Sequence, residues 1–133
     1  MIKNVGATLL VKDWQLLVAQ RPNFDPLSGL WEFPGGKVEI GESLPECIRR
    51  EMREEFGVEV SVAAFFADSV YHYERGSIRL LSYWATLTSG ELLPVFHSAF
   101  EWVQLGELQN YSFAPADISI VDRLVRERPC LLR

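Results

Sequence analysis

The segment from Gly36 to Val58 leaves a chain of this kind the least freedom, because it spells one helix with a marked start and stop. Ser43 followed by Glu46 is a capping box, and Pro45 falls in the first turn, where a missing N–H costs little. Gly57 supplies the left-handed residue that closes such a helix. These signals predict a helix over Leu44 to Phe56. At about 100° per residue, Ile48, Met52 and Phe56 share the side that packs on a sheet, while Arg49, Arg53 and Glu46 face water. Glu51, Glu54 and Glu55 occupy one arc between those sides, since spacings of three and four residues stack side chains on a single face.

Like charges so arranged repel one another, and Arg50 offsets only part of that repulsion. A compensating cation or raised pKa values would relieve it. The arc is then either a plain solvated acidic face or the seat of a hard divalent cation taking oxygen ligands. Pro34-Gly35-Gly36 favours the cation, because a backbone without side chains can approach the helix closely and offer a carbonyl.

With 133 residues the chain is expected to form a single domain over 1–133, able to bury a core without disulfides. A net charge of −5 argues against binding nucleic acid polymers, which takes clustered Lys and Arg. An acidic protein that handles phosphates needs a bridging cation. The apolar run at the start is too short for a signal peptide and nothing approaches a membrane span, so cytoplasm is the expected location. Cys47 and Cys130 lie outside any metal-binding spacing and read as reduced, small apolar residues.

Val5 to Val11 and Trp14 to Gln20 read as paired strands joined through Lys12-Asp13, and a turn-rich loop from Pro22 to Gly29 leads to the extended Trp31-Glu32-Phe33. Val58 to Ala67, Val70 to Tyr73 and Ile78 to Leu87 are further strands, the last two flanking a turn at Glu74 to Ser77. Phe100 to Val103 is a short strand and Leu105 to Leu108 a helical turn. Pro115 opens a second helix, with Ile118, Val121, Leu124 and Val125 on its apolar side, and Pro129 stops it. Two main helices around a mixed sheet imply an α/β fold of α/β/α sandwich type.

The glycine at 36, Glu42, Arg50-Glu51-Met52, Glu54-Glu55 and Gly57-Val58 stand at the spacing of the Nudix hydrolase signature, which this stretch resembles in full. The preceding Leu30-Trp31-Glu32-Phe33-Pro34-Gly35-Gly36-Lys37-Val38-Glu39 is similar to the MutT-like branch, which includes 8-oxo-dGTP diphosphatases and CTP pyrophosphohydrolases. The resemblance implies an α/β/α sandwich and hydrolysis of a nucleoside triphosphate to the monophosphate and pyrophosphate, as a monomer or homodimer. It implies Mg²⁺, with Mn²⁺ as a substitute, held by the Gly36 carbonyl and by Glu51, Glu54 and Glu55, with Arg50 orienting the glutamates.

The same resemblance implies that Arg21 and Lys37 contact phosphates, the alternative for each being a plain surface cation. Phe33 offers an aromatic face to a nucleobase. Asp117, in the run Ala114-Pro115-Ala116-Asp117, matches the position that reads the base edge; ionised, it only accepts and so favours an amino donor such as cytosine N4. Its alternative, like that of Glu42, is to complement a helix dipole. One departure stands out. Where relatives carry a metal-site glutamate six residues before a tryptophan, this chain has Phe96, which leaves Glu51 as the general base, Glu101 brought in by loop movement, or weak activity. His97 beside it reads as a surface histidine and His72 as packed in an aromatic strand. The alternatives in function are a nucleotide-binding module that has lost catalysis, or a Nudix hydrolase of ADP-ribose or a dinucleoside polyphosphate.

Overall fold

The computed structural model describes residues 2–130. Seven strands, β1 (Ile2–Lys12), β2 (Gln15–Gln20), β3 (Trp31–Glu32), β4 (Gly35–Lys37), β5 (Glu59–Tyr73), β6 (Gly76–Ser89) and β7 (Ala99–Val103), combine with helices α1 (Leu44–Phe56) and α2 (Pro115–Glu127). A 3-10 helix spans Leu105–Asn110. The central order is β3-β2-β1-β6-β5, with β4 beside β1 and β7 beside β2. Among the pairings of these strands the β1–β6 one is parallel and the others antiparallel, so the sheet is mixed, as expected.

Alternation along the central strands builds two cores on opposite faces, because successive strand side chains point opposite ways. Leu9, Leu16 and Val18 pack with Ile120, Val121 and Leu124 of α2. Leu10, Leu17 and Ala19 pack with Ile48, Met52 and Phe56 of α1. Each large apolar side chain so buried stabilises the fold by about 1.5–3 kcal/mol. The α/β/α sandwich therefore stands, with α1 ending where its caps predict: both halves of the Ser43–Glu46 capping box form, and Gly57 closes the helix at φ 71°.

Several local expectations shift. The first hairpin turns at Asp13-Trp14 rather than Lys12-Asp13, both residues taking positive φ, which suits a tight turn matched to strand twist. The two strands expected before the second hairpin are one, β5, continuous through register shifts between Val62 and Ala67. The buried stripe of α2 is Ala116, Asp117, Ile120, Val121 and Leu124, and Ile118 is turned outward. Val121 and Leu124 are buried as expected, while Ile118 gives way to Ala116, Asp117 and Ile120, a choice that the sheet beneath decides.

Two pairings shape the centre of the molecule. Strand β4 pairs with Val5 to Ala7, while β2 leaves β1 through the hairpin at its far end. A Cβ on Gly35 would collide with the Gly6 carbonyl, so glycine is required there. Trp31 N–H donates to the Ser112 carbonyl at 2.8 Å, and Ala114 N–H to the Trp31 carbonyl at 2.8 Å. This ties the segment before α2 to β3 and brings Asp117 against Phe33.

Candidate active site

The cleft between β4, β3 and the start of α2 contains a cavity of about 190 Å³, lined by Gly6, Arg21, Glu32, Phe33, Gly35, Gly36, Tyr73 and Asp117 among others. Pockets for drug-sized ligands run to about 300–1,000 Å³, so this one takes part of such a molecule and leaves the rest at its mouth.

On one side of the mouth stands Arg50. Its guanidinium donates to Glu42 twice, at 2.7 and 3.0 Å, to Glu51 at 2.9 Å and to Glu54 at 3.2 Å, with a further bond to the Lys37 carbonyl at 3.1 Å. The hydrogen bonds from Arg50 hold Glu42 down at about 2. Glu42 thus acts on the helix through Arg50. Lys37 itself is exposed on β4.

The three arc glutamates are placed differently. Glu51 lies against Gly36 so closely that a Cβ there would strike its carboxylate. Burial raises its pKa, with Arg50 opposing. Burial, then the charges of Glu32 and Glu51, push the Glu55 carboxyl up to about 9, and its Oε1 is buried with no partner. Glu54 is the outlier, its side chain 60% exposed. Among the described residues, no three His, Cys, Asp or Glu side chains already converge at metal-ligand spacing. Glu54 points to water and to Arg50. The donor set nonetheless fits a hard divalent ion: Glu55 Oε1 lacks any other partner, and the side-chain-free Gly36 admits the Glu51 carboxylate. Behind Gly36 the Cys47 thiol donates to its carbonyl at 3.3 Å, and burial pushes that thiol up to about 11.

On the cavity's other side Asp117 is buried and accepts the Phe33 N–H at 3.0 Å. Burial, then the charge of Glu32, raise its carboxyl well above the usual range. A carboxyl so displaced holds its proton more tightly than the ionised, accept-only Asp117 of the sequence reading. Phe33 is buried with its ring tilted against Phe113 at 5.4 Å, a wall of the cavity more than a free stacking face.

Arg21 is not a free cation either. It donates to Asp25 through Nε at 3.0 Å and again through Nη2, and to Glu32 at 2.8 Å, and it lies over the Phe96 ring at 5.6 Å. Two carboxylates already answer its charge, so Arg21 serves to clamp the turn-rich loop onto β3.

Three histidine and base expectations are overturned. His97 is buried, its ring stacked on Phe56, with Nε2–H donating to Glu32 at 2.7 Å. His72 is exposed and bonds Ser77 across its hairpin at 2.5 Å. Glu101 is exposed on β7, on the strand face away from Phe100 and Trp102, which pack toward α1. It is thus no candidate base. Cys130 is exposed, so only Cys47 behaves as a small buried residue.

The residue that sequence reasoning missed is Glu32. It joins Arg21 and His97 and raises both Glu55 and Asp117. The available signal was a lone acid between two aromatic residues in Trp31-Glu32-Phe33.

Residues 2–124 match the model of the NUDIX domain. The chain belongs to the Nudix family. Over 124 residues it is 36% identical to the CTP pyrophosphohydrolase of Escherichia coli strain K12, covering 93% of this chain and 92% of that one. Over 121 residues it is 26% identical to the 8-oxo-dGTP diphosphatase of Buchnera aphidicola subsp. Schizaphis graminum, with 91% and 92% covered. Among solved structures, the E. coli ORF135 protein superposes with a TM-score of 0.82 at 34% identity, covering 96% of this chain and 94% of that one. The MutT protein from Methanosarcina mazei Go1 shares the fold at a TM-score of 0.84 and 21% identity, with 96% and 95% covered. This Nudix hydrolase is accordingly an enzyme that cleaves phosphoanhydride bonds, and its family generally uses divalent cations and nucleotide substrates. No described helix is long and apolar enough to cross a membrane.

Proposed function

We propose that this Nudix hydrolase converts a nucleoside triphosphate to the monophosphate and pyrophosphate, acting on CTP or dCTP-type nucleotides or on oxidised ones such as 8-oxo-dGTP. The observation that carries the reading is the buried, unpartnered Glu55 Oε1 beside Glu51, with Glu51 seated on Gly36. Gly36, through its carbonyl, and Glu51, Glu54 and Glu55 would hold the cation, Mg²⁺ with Mn²⁺ as substitute. A divalent ion there neutralises phosphate charge and makes hydroxide available near neutral pH.

The chain's own residues supply the rest. Arg50 orients Glu51 and Glu54 from the wet side. With Phe96 apolar and Glu101 turned away, Glu51 accepts the proton of the attacking water as pyrophosphate leaves. The cavity takes the base, Phe33 forming its wall and Asp117 meeting the base edge. Lys37, exposed beside the mouth, meets the phosphates from solvent. The proposal extends to one domain over 1–133, working in the cytoplasm as monomer or homodimer, without nucleic acid polymers.

The test is a panel of CTP, 5-methyl-dCTP, 8-oxo-dGTP, ADP-ribose and a dinucleoside polyphosphate with Mg²⁺, read by pyrophosphate release and product chromatography. Pyrophosphate and the nucleoside monophosphate are expected from at least one triphosphate. Turnover of only the last two would move the assignment to another Nudix substrate. Binding without any product would make the chain a nucleotide-binding module, the reading that Phe96 at the usual glutamate position favours.

A further inference from the structure

His97 occupies a seat that packing alone does not explain. Its side chain is fully buried, its ring lies flat on Phe56 at 5.4 Å, and Phe96 meets it edge-on at 5.0 Å. The surrounding loop is pinned at both ends. Leu93 and Val95 N–H groups donate to the Phe56 and Glu55 carbonyls, which the end of a helix leaves without internal partners, and Ser98 N–H donates to the Gln20 carbonyl.

From this fixed position Nε2–H reaches Glu32 Oε2 at 2.7 Å, while Arg21 Nη1 reaches Oε1 at 2.8 Å. Both oxygens of a carboxylate on the cavity wall are thus held, one from each side. The other ring nitrogen, Nδ1, is buried with no partner. Burying an unpaired nitrogen is unfavourable, and a phenylalanine could stack on Phe56 without that cost. What histidine alone adds is the N–H aimed at Glu32.

We propose that His97 is a positioning residue: by fixing Glu32 Oε2 it orients that carboxylate on the cavity wall and, through it, the Arg21 guanidinium. The kinetic part of the test rests on the nucleotide reading above, and the spectroscopic part does not. His97→Phe keeps the stack and removes the donor; His97→Gln restores an N–H donor; Glu32→Gln removes the charged acceptor. His72→Phe, on an exposed hairpin, is the control.

In His97→Phe the thermal midpoint should stay near that of the parent. The Arg21 guanidinium N–H signals in ¹⁵N NMR should shift and exchange with water about ten-fold faster, and kcat should fall about ten-fold with little change in KM, the scale expected when a supporting contact is lost. His97→Gln should recover part of both effects, and His97→Phe should have a smaller effect in the Glu32→Gln background, where the acceptor carries no charge, than in the parent. A folded His97→Phe protein with unchanged Arg21 signals, or fully additive effects with Glu32→Gln, overturns the proposal. Should the parent hydrolyse no triphosphate, the nucleotide reading fails and the Arg21 signals alone decide this one. Should His97→Phe not fold, unchanged Arg21 signals in Glu32→Gln would equally refute it.

Discussion

Carboxylates in this molecule fall into two clusters, those that an arginine holds and those that burial isolates. Hydrogen bonds from Arg50 hold Glu42 at about 2, and those from Arg21 hold Asp25 below its usual range. Where no arginine donates, burial wins: Glu55 is pushed up to about 9 and Asp117 well above its usual range, both also feeling Glu32. Glu51 stands between them, bonded to Arg50 yet raised by burial. The same residue types thus acquire opposite proton affinities within one cleft, and the sign follows from which of the two effects is larger. The arginine-held acids fix geometry, Glu42 at the rim among them, and the buried ones store acidity that a cation can release.

The largest expected effect comes from removing that stored acid. Glu55→Gln should lower turnover by about 10²–10³-fold, the equivalent of several kcal/mol of lost cation-assisted stabilisation. It should leave the metal-free fold intact, because an amide replaces a carboxyl that is already protonated. The pH dependence carries the sign. The folded value of about 9 lies above the unfolded value of about 4.3, so the protonated group's contribution is whole below the lower value and is lost as pH rises through the upper one. In EDTA, the thermal midpoint should therefore decline between those limits, and less steeply in Glu55→Gln. Parallel melting curves for the two proteins would remove the distinction between the clusters.

A smaller change should follow from loosening the rim. Glu42→Gln weakens the bidentate hold on Arg50, and kcat/KM should drop about ten-fold, with more Mg²⁺ needed for half-maximal rate, the usual scale for partners one step behind a metal. Kinetics across a Mg²⁺ titration check this, and an unmoved Mg²⁺ requirement would show that the rim does not align the acids. Smallest of all is Arg53→Gln, which breaks an exposed pair with Glu59 at 3.0 Å on the other side of α1. The melting midpoint should move by under about 2 °C and turnover should not change, as expected for surface ion pairs.

Much of this architecture is readable from local pattern. The α1 boundaries, its capping box and its buried stripe follow from residues within one or two turns of each other. The placement of Gly35 and Gly36 follows from their lack of side chains. Other features depend on residues far apart in the chain. His97 meets Glu32 across 65 positions, and Phe33 meets Asp117 across 84, so no local window contains either pair. That Glu32 and Phe96 fold back onto Arg21 is likewise hidden from its own neighbourhood in sequence. Phe96 forms part of an aromatic seat for His97 and Arg21, which its neighbours in sequence do not reveal either.

The amino-acid order by itself determined the helices, most of the strands and the family, because capping, turn chemistry and side-chain period act over distances of a few residues. It also set three glutamates on one arc of α1. Which of them is dry, which is wet, and that Glu32 couples the acid side of the cleft to Asp117, only the packing of β3, β4 and α2 decided. Solvation is a property of everything that surrounds a group, and that surrounding is assembled from the whole chain.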